Sequence, residues 1–100
     1  MEFGIQSTDL LMIRNILREY PEIEKVLIYG SRAKGNYQPA SDIDLTLVGS
    51  ALDLTLQQDL EIKLDDLLLP YKFDISIFHQ ISNPDVVNHI NRVGKVFYQK

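Results

Sequence analysis

Asp42 and Asp44 stand two residues apart in the stretch Asp42-Ile43-Asp44-Leu45-Thr46-Leu47-Val48. Read as a strand, the stretch sends Asp42, Asp44 and Thr46 to one face and Ile43, Leu45 and Leu47 to the other. The two carboxylates then sit abreast, with Cα atoms roughly 6.5–7 Å apart. Neighbouring carboxylates repel, and without a counter-charge at least one pKa must rise. Mg²⁺ is a natural partner, because it prefers oxygen ligands together with substrate phosphates. A third carboxylate, Asp74, lies in the run Lys72 to Phe78, where it shares a face with Ser76 opposite Phe73, Ile75 and Ile77. If the two strands are neighbours, three carboxylates converge on one patch. Such a patch can hold two metal ions about 3.5–4 Å apart for in-line phosphoryl or nucleotidyl transfer. The plain alternative is a solvated strand face, but Asp is a poor strand residue, and two on one face are costly without a reason.

Gly30-Ser31 follows a short apolar run, Lys25 to Tyr29. Glycine lets backbone approach a phosphate, and the serine hydroxyl and amide can donate to phosphate oxygens. Arg32 and Lys34 add positive charge; they either touch phosphates or solvate a loop. The pattern is neither a P-loop nor a dinucleotide fingerprint. Tyr37 is the best-placed ring for stacking on a base. Ser41 reads as a turn or cap residue. His79 and His89 have no carboxylate at metal spacing and read as surface or packing residues.

The elements that must position these groups alternate along the chain. Ser7 or Thr8 can cap a first helix with Leu10, Ile13, Ile16, Leu17 and Tyr20 inward, ended by Pro21. Lys25 to Tyr29 is a buried strand, and Gly30 to Ser41 is irregular, rich in turn formers. After the strand Asp42 to Val48, Asp53 caps a helix in which Leu56, Leu60, Leu64 and Leu67 recur at helical spacing, and Pro70 closes it. Its outer face, with Asp59, Glu61, Asp65 and Asp66, is acidic. The strand Lys72 to Phe78 follows. Asn83 and Pro84 open a last helix to about Val93, Gly94 stops it, and Val96 to Tyr98 adds an edge strand. The expected fold is α/β (α+β): a small mixed sheet with helices packed on one face, in one domain over residues 1–100.

Bulk properties narrow the function classes. The chain has 100 residues, 45% hydrophobic and 24% charged, with a net charge of −4. That balance suits a globular domain and argues against passive attraction to a nucleic acid backbone. With no cysteine, disulfides, thiolate metal sites and a Cys nucleophile are excluded. No signal peptide or membrane span is legible, so the expected location is the cytoplasm.

Gly30-Ser31, ten residues, then Asp42-x-Asp44, then Asp74 resembles the signature of the DNA polymerase β-like nucleotidyltransferase superfamily. The local string Gly-Ser-Arg-Ala-Lys-Gly followed by Ser-Asp-x-Asp-Leu resembles its smallest branch, the minimal nucleotidyltransferases (MNT). Four fixed residues at this spacing arise by chance at roughly 10⁻⁵ per starting position with ordinary residue usage, so coincidence is a poor account. The resemblance covers almost the whole chain and implies a polymerase β palm-like core. It implies that Gly30 and Ser31 contact the β- and γ-phosphates of ATP or another nucleoside triphosphate. Asp42 and Asp44 would bind two Mg²⁺ ions, and Asp74 would complete the catalytic metal site and take the acceptor hydroxyl's proton. In this branch the protein is often an antitoxin, MntA-like, paired with a helical HEPN ribonuclease toxin, and some members transfer AMP to a toxin tyrosine. The competing expectations are neutralisation by occlusion without chemistry and transfer to a small molecule. The acceptor, the base preference and the oligomeric state are not legible in the sequence.

Overall fold

The computed structural model describes all 100 residues as α1 (Ser7–Leu17), β1 (Lys25–Tyr29), α2 (Gly30–Lys34), β2 (Ile43–Val48), α3 (Leu54–Asp65), β3 (Phe73–Ile77), a 3₁₀ turn (Phe78–Gln80), α4 (Pro84–Val93) and β4 (Lys95–Gln99). The strands form one sheet in the order β3-β2-β1-β4. β1 pairs antiparallel with both β2 and β4, whereas β2 and β3 run parallel. The sheet is mixed for a topological reason. Residues 30–42 contain only the single turn of α2 and β2 returns antiparallel, while α3 supplies the crossover helix that a parallel β3 needs.

Alternation decides which face is apolar. Val26 and Ile28 of β1, Ile43, Leu45 and Leu47 of β2, and Ile75 and Ile77 of β3 join Leu10, Ile13 and Leu17 of α1 and Leu56, Leu60 and Leu64 of α3 in one core cluster of 21 residues. Burial of these side chains is the dominant force holding α1 and α3 to the sheet. The opposite face carries Asp44, Thr46, Asp74 and Ser76. Near it lies α4, whose His89 ring meets Tyr29 of β1 edge-on at 6.1 Å.

Local signals set several boundaries. Asp53 caps α3, accepting the Leu56 N–H at 2.9 Å, and Asn83 caps α4, accepting the Asp85 N–H with Pro84 in the first turn. The first helix departs from expectation. Ser7 is already helical and Gln6 occupies the cap position without a side-chain cap bond; instead the Tyr71 hydroxyl accepts the Gln6 N–H at 3.3 Å. The helix also ends at Leu17, ahead of Pro21, and Tyr20 is buried beyond it while donating to Asp59. On the acidic face of α3, Lys63 pairs with Glu19 and Asp59.

The stretch expected to be irregular begins with α2, one helical turn at Gly30–Lys34 closed by Gly35 at φ +89°. Five residues are too few to show a helical period in sequence. The two polar strands are one residue shorter at their polar ends than the sequence suggests, so Asp42 stands just before β2 and Lys72 just before β3.

Candidate functional site

The register of the parallel pair places Asp44 directly opposite Asp74. The next residues on that face, Thr46 and Ser76, are also opposite one another. Their hydroxyl oxygens are buried; Thr46 Oγ1 has no protein partner, and Ser76 Oγ lies near enough to the Tyr29 phenol to act on it without a bond of full hydrogen-bond geometry. A sheet face that could have been apolar is thus polar at successive positions and leaves hydrogen-bonding capacity unused, as expected for a surface that receives a polar ligand.

Tyr29 and Gly30 flank this face at the end of β1, and Asp85, Val86 and His89 of α4 stand across from it. Together with Asp44 and Asp74 they enclose a cleft of about 400 Å³. Gly30 sits at φ +72°, a backbone state that L side chains avoid. A Cβ at this position would also collide with Asp44 Oδ2. The chain therefore brings backbone against the carboxylate where any other residue would interpose a side chain.

Electrostatics sets the chemistry of the cleft. Asp44 is pushed up to about 6, first by burial and then by the charges of Asp74 and Asp42, with Arg32 offsetting part of the shift. Burial raises the Tyr29 phenol as well; the Ser76 hydroxyl opposes that shift, and Asp74 and Asp44 add to it. Both effects have one origin, an excess of negative charge on a partly desolvated face.

The expected residues divide into those the fold brings together and those it does not. Gly30, Asp44 and Asp74 share the cleft, and Ser31 follows Gly30 in the first turn of α2. Asp42 is exposed and outside the cleft wall, although its charge reaches Asp44. Lys34 is exposed on α2. Arg32 stands apart from both readings given to it: it neither solvates the loop nor lines the cleft. Only 2% exposed, it donates to the carbonyls of Ser41 (2.8 Å), Phe3 (3.0 Å) and Pro39 (3.3 Å). Its guanidinium lies over the rings of Tyr37 and Tyr71. The ring singled out for stacking on a base, Tyr37, is thus engaged by Arg32. Ser41 acts as a turn residue, its Oγ accepting the Gln38 N–H.

Arg32 therefore ties the loop between α2 and β2 to the amino-terminal turn. Arg32→Met is expected to destabilise the fold by about 3 kcal/mol, because it strands several carbonyl acceptors at once. Thermal denaturation should show a loss of roughly 10 °C or more; a change of a degree or two would exclude this role.

The residue that sequence reasoning missed is His89. It lines the cleft, and its Nε2 accepts the Gly30 N–H at 3.2 Å. The only local hint is that Asp85 and His89 are four apart and so share one face of α4.

The donor set fits a divalent hard cation. Asp44 and Asp74 offer oxygen ligands abreast, the face carries uncompensated negative charge, and the nearby cation, Arg32, is committed to carbonyls. The convergence of three carboxylates expected from the sequence is not formed, because Asp42 stays outside the cleft: no three His, Cys, Asp or Glu side chains meet at metal-ligand distances. No helix is long and apolar enough to cross a membrane.

A family profile described as polymerase beta, nucleotidyltransferase matches residues 12–100. No curated relative matches the chain by sequence. Among solved structures, the chain is similar to a crystal structure of a toxin–antitoxin with AMP-PNP, at TM-score 0.73 and 22% identity over 91% of this chain and 73% of that one. It is also similar to a structure of the tri-AMPylated Shewanella oneidensis HEPN toxin in complex with MNT antitoxin, at TM-score 0.69 and 19% identity over 96% and 74% of the two chains. A crystal structure of the toxin–antitoxin MntA–HepT aligns at TM-score 0.68 and 20% identity over 95% and 74%. At these identities the likeness is one of fold.

Proposed function

Because the chain belongs to the polymerase β nucleotidyltransferase family, we propose that residues 1–100 act as one minimal, cytoplasmic nucleotidyltransferase domain that moves AMP from ATP to a partner protein. The partner is a HEPN-type helical toxin, and the chain is its antitoxin. The observation that carries the catalytic part is the register of Asp44 against Asp74 in a cleft closed by Gly30. The partner assignment draws on the fold shared with antitoxins seen with a HEPN toxin and with AMP-PNP.

In this reading Gly30 and Ser31 receive the β- and γ-phosphates: Ser31 donates through its amide and hydroxyl, while glycine lets the chain approach closely and its own N–H stays with His89. Asp42, Asp44 and Asp74 would hold Mg²⁺, two ions in all. The bound ions supply charge neutralisation and alignment of the triphosphate oxygens. Asp74, exposed on β3, is placed to accept the proton of the incoming acceptor hydroxyl. The acceptor hydroxyl's oxygen then bonds to the α-phosphorus as pyrophosphate leaves. Arg32 takes no part in the transfer and keeps the loop that presents Asp42 in place. Lys34, free on the surface of α2, contributes positive charge for an approaching nucleotide.

The test is to incubate the protein with Mg²⁺ and labelled ATP, with and without its HEPN-type partner, and to read each polypeptide by mass. A gain of one or more AMP units on the partner, dependent on this chain, is the expected result. A stable complex without label would replace the reading with neutralisation by occlusion, and label on a small molecule alone would replace it with small-molecule transfer.

A further inference from the structure

The bond between His89 and Gly30 joins two elements that are far apart in sequence and adjacent at the cleft. Gly30 opens α2, and the cap residue before it, Tyr29, makes no side-chain cap bond. The first amide of a helix has no intrahelical acceptor. Here the acceptor comes from α4: His89 Nε2 takes the Gly30 N–H at 3.2 Å. Accepting through Nε2 requires the neutral imidazole with its proton on Nδ1. The ring is also fixed sideways by its edge-on contact with Tyr29 at 6.1 Å. Two contacts hold the imidazole, and they lead to consecutive residues, Tyr29 and Gly30, at the β1–α2 junction.

That junction is the most conformationally demanding point of the cleft. Gly30 holds φ +72° and passes so close to Asp44 that no Cβ fits between them. A glycine in this state has other accessible states once unconstrained, so something must select the observed one. We infer that His89 is a positioning residue for the nucleotide-binding turn: from α4 it pins the Gly30 amide, and so fixes backbone and Asp44 relative to one another before nucleotide arrives. The inference rests on the proposed nucleotidyltransferase reading for its consequence, though not for its geometry. Preorganisation of this kind acts on binding more than on the chemical step, because ordering the turn otherwise has to occur when the ligand binds.

Two variants separate the acceptor from the ring. His89→Phe keeps an aromatic edge against Tyr29 and removes the acceptor. His89→Gln removes the ring and restores an oxygen that can accept the Gly30 N–H. The first readout needs no nucleotide: amide hydrogen exchange of Gly30 through Lys34 in the free protein. Exchange at Gly30 and Ser31 should accelerate about tenfold in His89→Phe and return to within about threefold of wild type in His89→Gln. The second readout is the dissociation constant for ATP–Mg²⁺ together with the steady-state constants for AMP transfer. His89→Phe should raise the dissociation constant and KM about tenfold with kcat changed less than about threefold, and His89→Gln should recover most of the loss.

Unchanged exchange in His89→Phe, or equal damage in both variants, overturns the positioning role. A fall in kcat at constant KM overturns it too, in favour of a direct part in chemistry. If wild-type protein binds no ATP–Mg²⁺, the transferase reading fails and with it the link from turn to nucleotide, while the exchange comparison still decides whether His89 holds Gly30.

Discussion

Replacing Asp42 and Asp44 together with Asn is expected to lower AMP transfer by at least about 10³-fold, the loss of several kcal/mol of metal-derived transition-state stabilisation. The same change at Asp44 is expected to make the metal-free protein more stable. An ordinary catalytic or structural contact behaves differently, because its removal leaves stability unchanged or lowers it. The difference follows from the cleft's charge. Asp44 is held at about 6 by burial and by the charges of Asp74 and Asp42, against an unfolded value near 3.9.

A carboxyl raised in the fold binds its proton more tightly folded than unfolded. Ionising it therefore costs folding free energy. The cost is absent below about pH 4, grows as pH rises from 4 to 6, and is complete above 6. A two-unit shift corresponds to about 3 kcal/mol in full. Asp44 keeps part of its surface in water, and screening reduces the figure to about 1 kcal/mol. Denaturant titrations in chelator at pH 8 and pH 4 measure it directly. Asp44→Asn should exceed wild type by about 1 kcal/mol at pH 8, and the gap should close at pH 4. Adding Mg²⁺ at pH 8 should stabilise wild type more than the variant, since only the carboxylate pair has a use for the ion. A variant less stable than wild type at pH 8 would show that Asp44 is a structural residue and that the repulsion with Asp74 is already relieved within the protein.

Much of this site is legible in sequence because it is built on strands. Period-two alternation alone assigns Asp44 and Asp74 to the polar faces of two segments; that the segments are neighbours is only a condition in the sequence, and the structure meets it by pairing them in parallel. Register does the remainder, setting Asp44 opposite Asp74. The parts that escape are those whose partners are distant in sequence and whose own neighbourhood is uninformative. Arg32 reads as one more charged loop residue; its burial depends on carbonyls of Phe3, Pro39 and Ser41 that converge only once the amino-terminal turn folds back. His89 reads as an isolated histidine on an amphipathic helix, and its partner lies 59 residues away. The short helix after Gly30 is invisible for a simpler reason: a single turn has no repeat to detect. Asp42 shows the limit of pattern reading at an element's end. Its spacing matches that of a strand residue, but the strand begins one residue later, which leaves it exposed beside the cleft rather than in its wall.

Gly30→Ala is expected to reduce transfer by at least about 10²-fold, and its comparison with Gly35→Ala gives the result its meaning. Both glycines have positive φ, +72° and +89°, so an alanine at either costs about 1 kcal/mol of backbone strain. That cost alone lowers the melting temperature by roughly 4–8 °C in a domain of this size. The two differ in what the new methyl group meets. At Gly35 nothing lies within 4 Å of it, whereas at Gly30 it collides with Asp44 Oδ2. Gly30→Ala must therefore displace either the turn or the carboxylate, and misplacing a reacting group by about 1 Å is enough to cost two orders of magnitude in rate. Gly35→Ala should lose stability by the strain alone and keep transfer within about threefold of wild type. If the two variants lose activity equally, strain in the loop accounts for both and the contact with Asp44 carries no function. If only Gly30→Ala is inactive, glycine is required there for the approach of backbone to carboxylate, and the junction of β1 with α2 belongs to the working site.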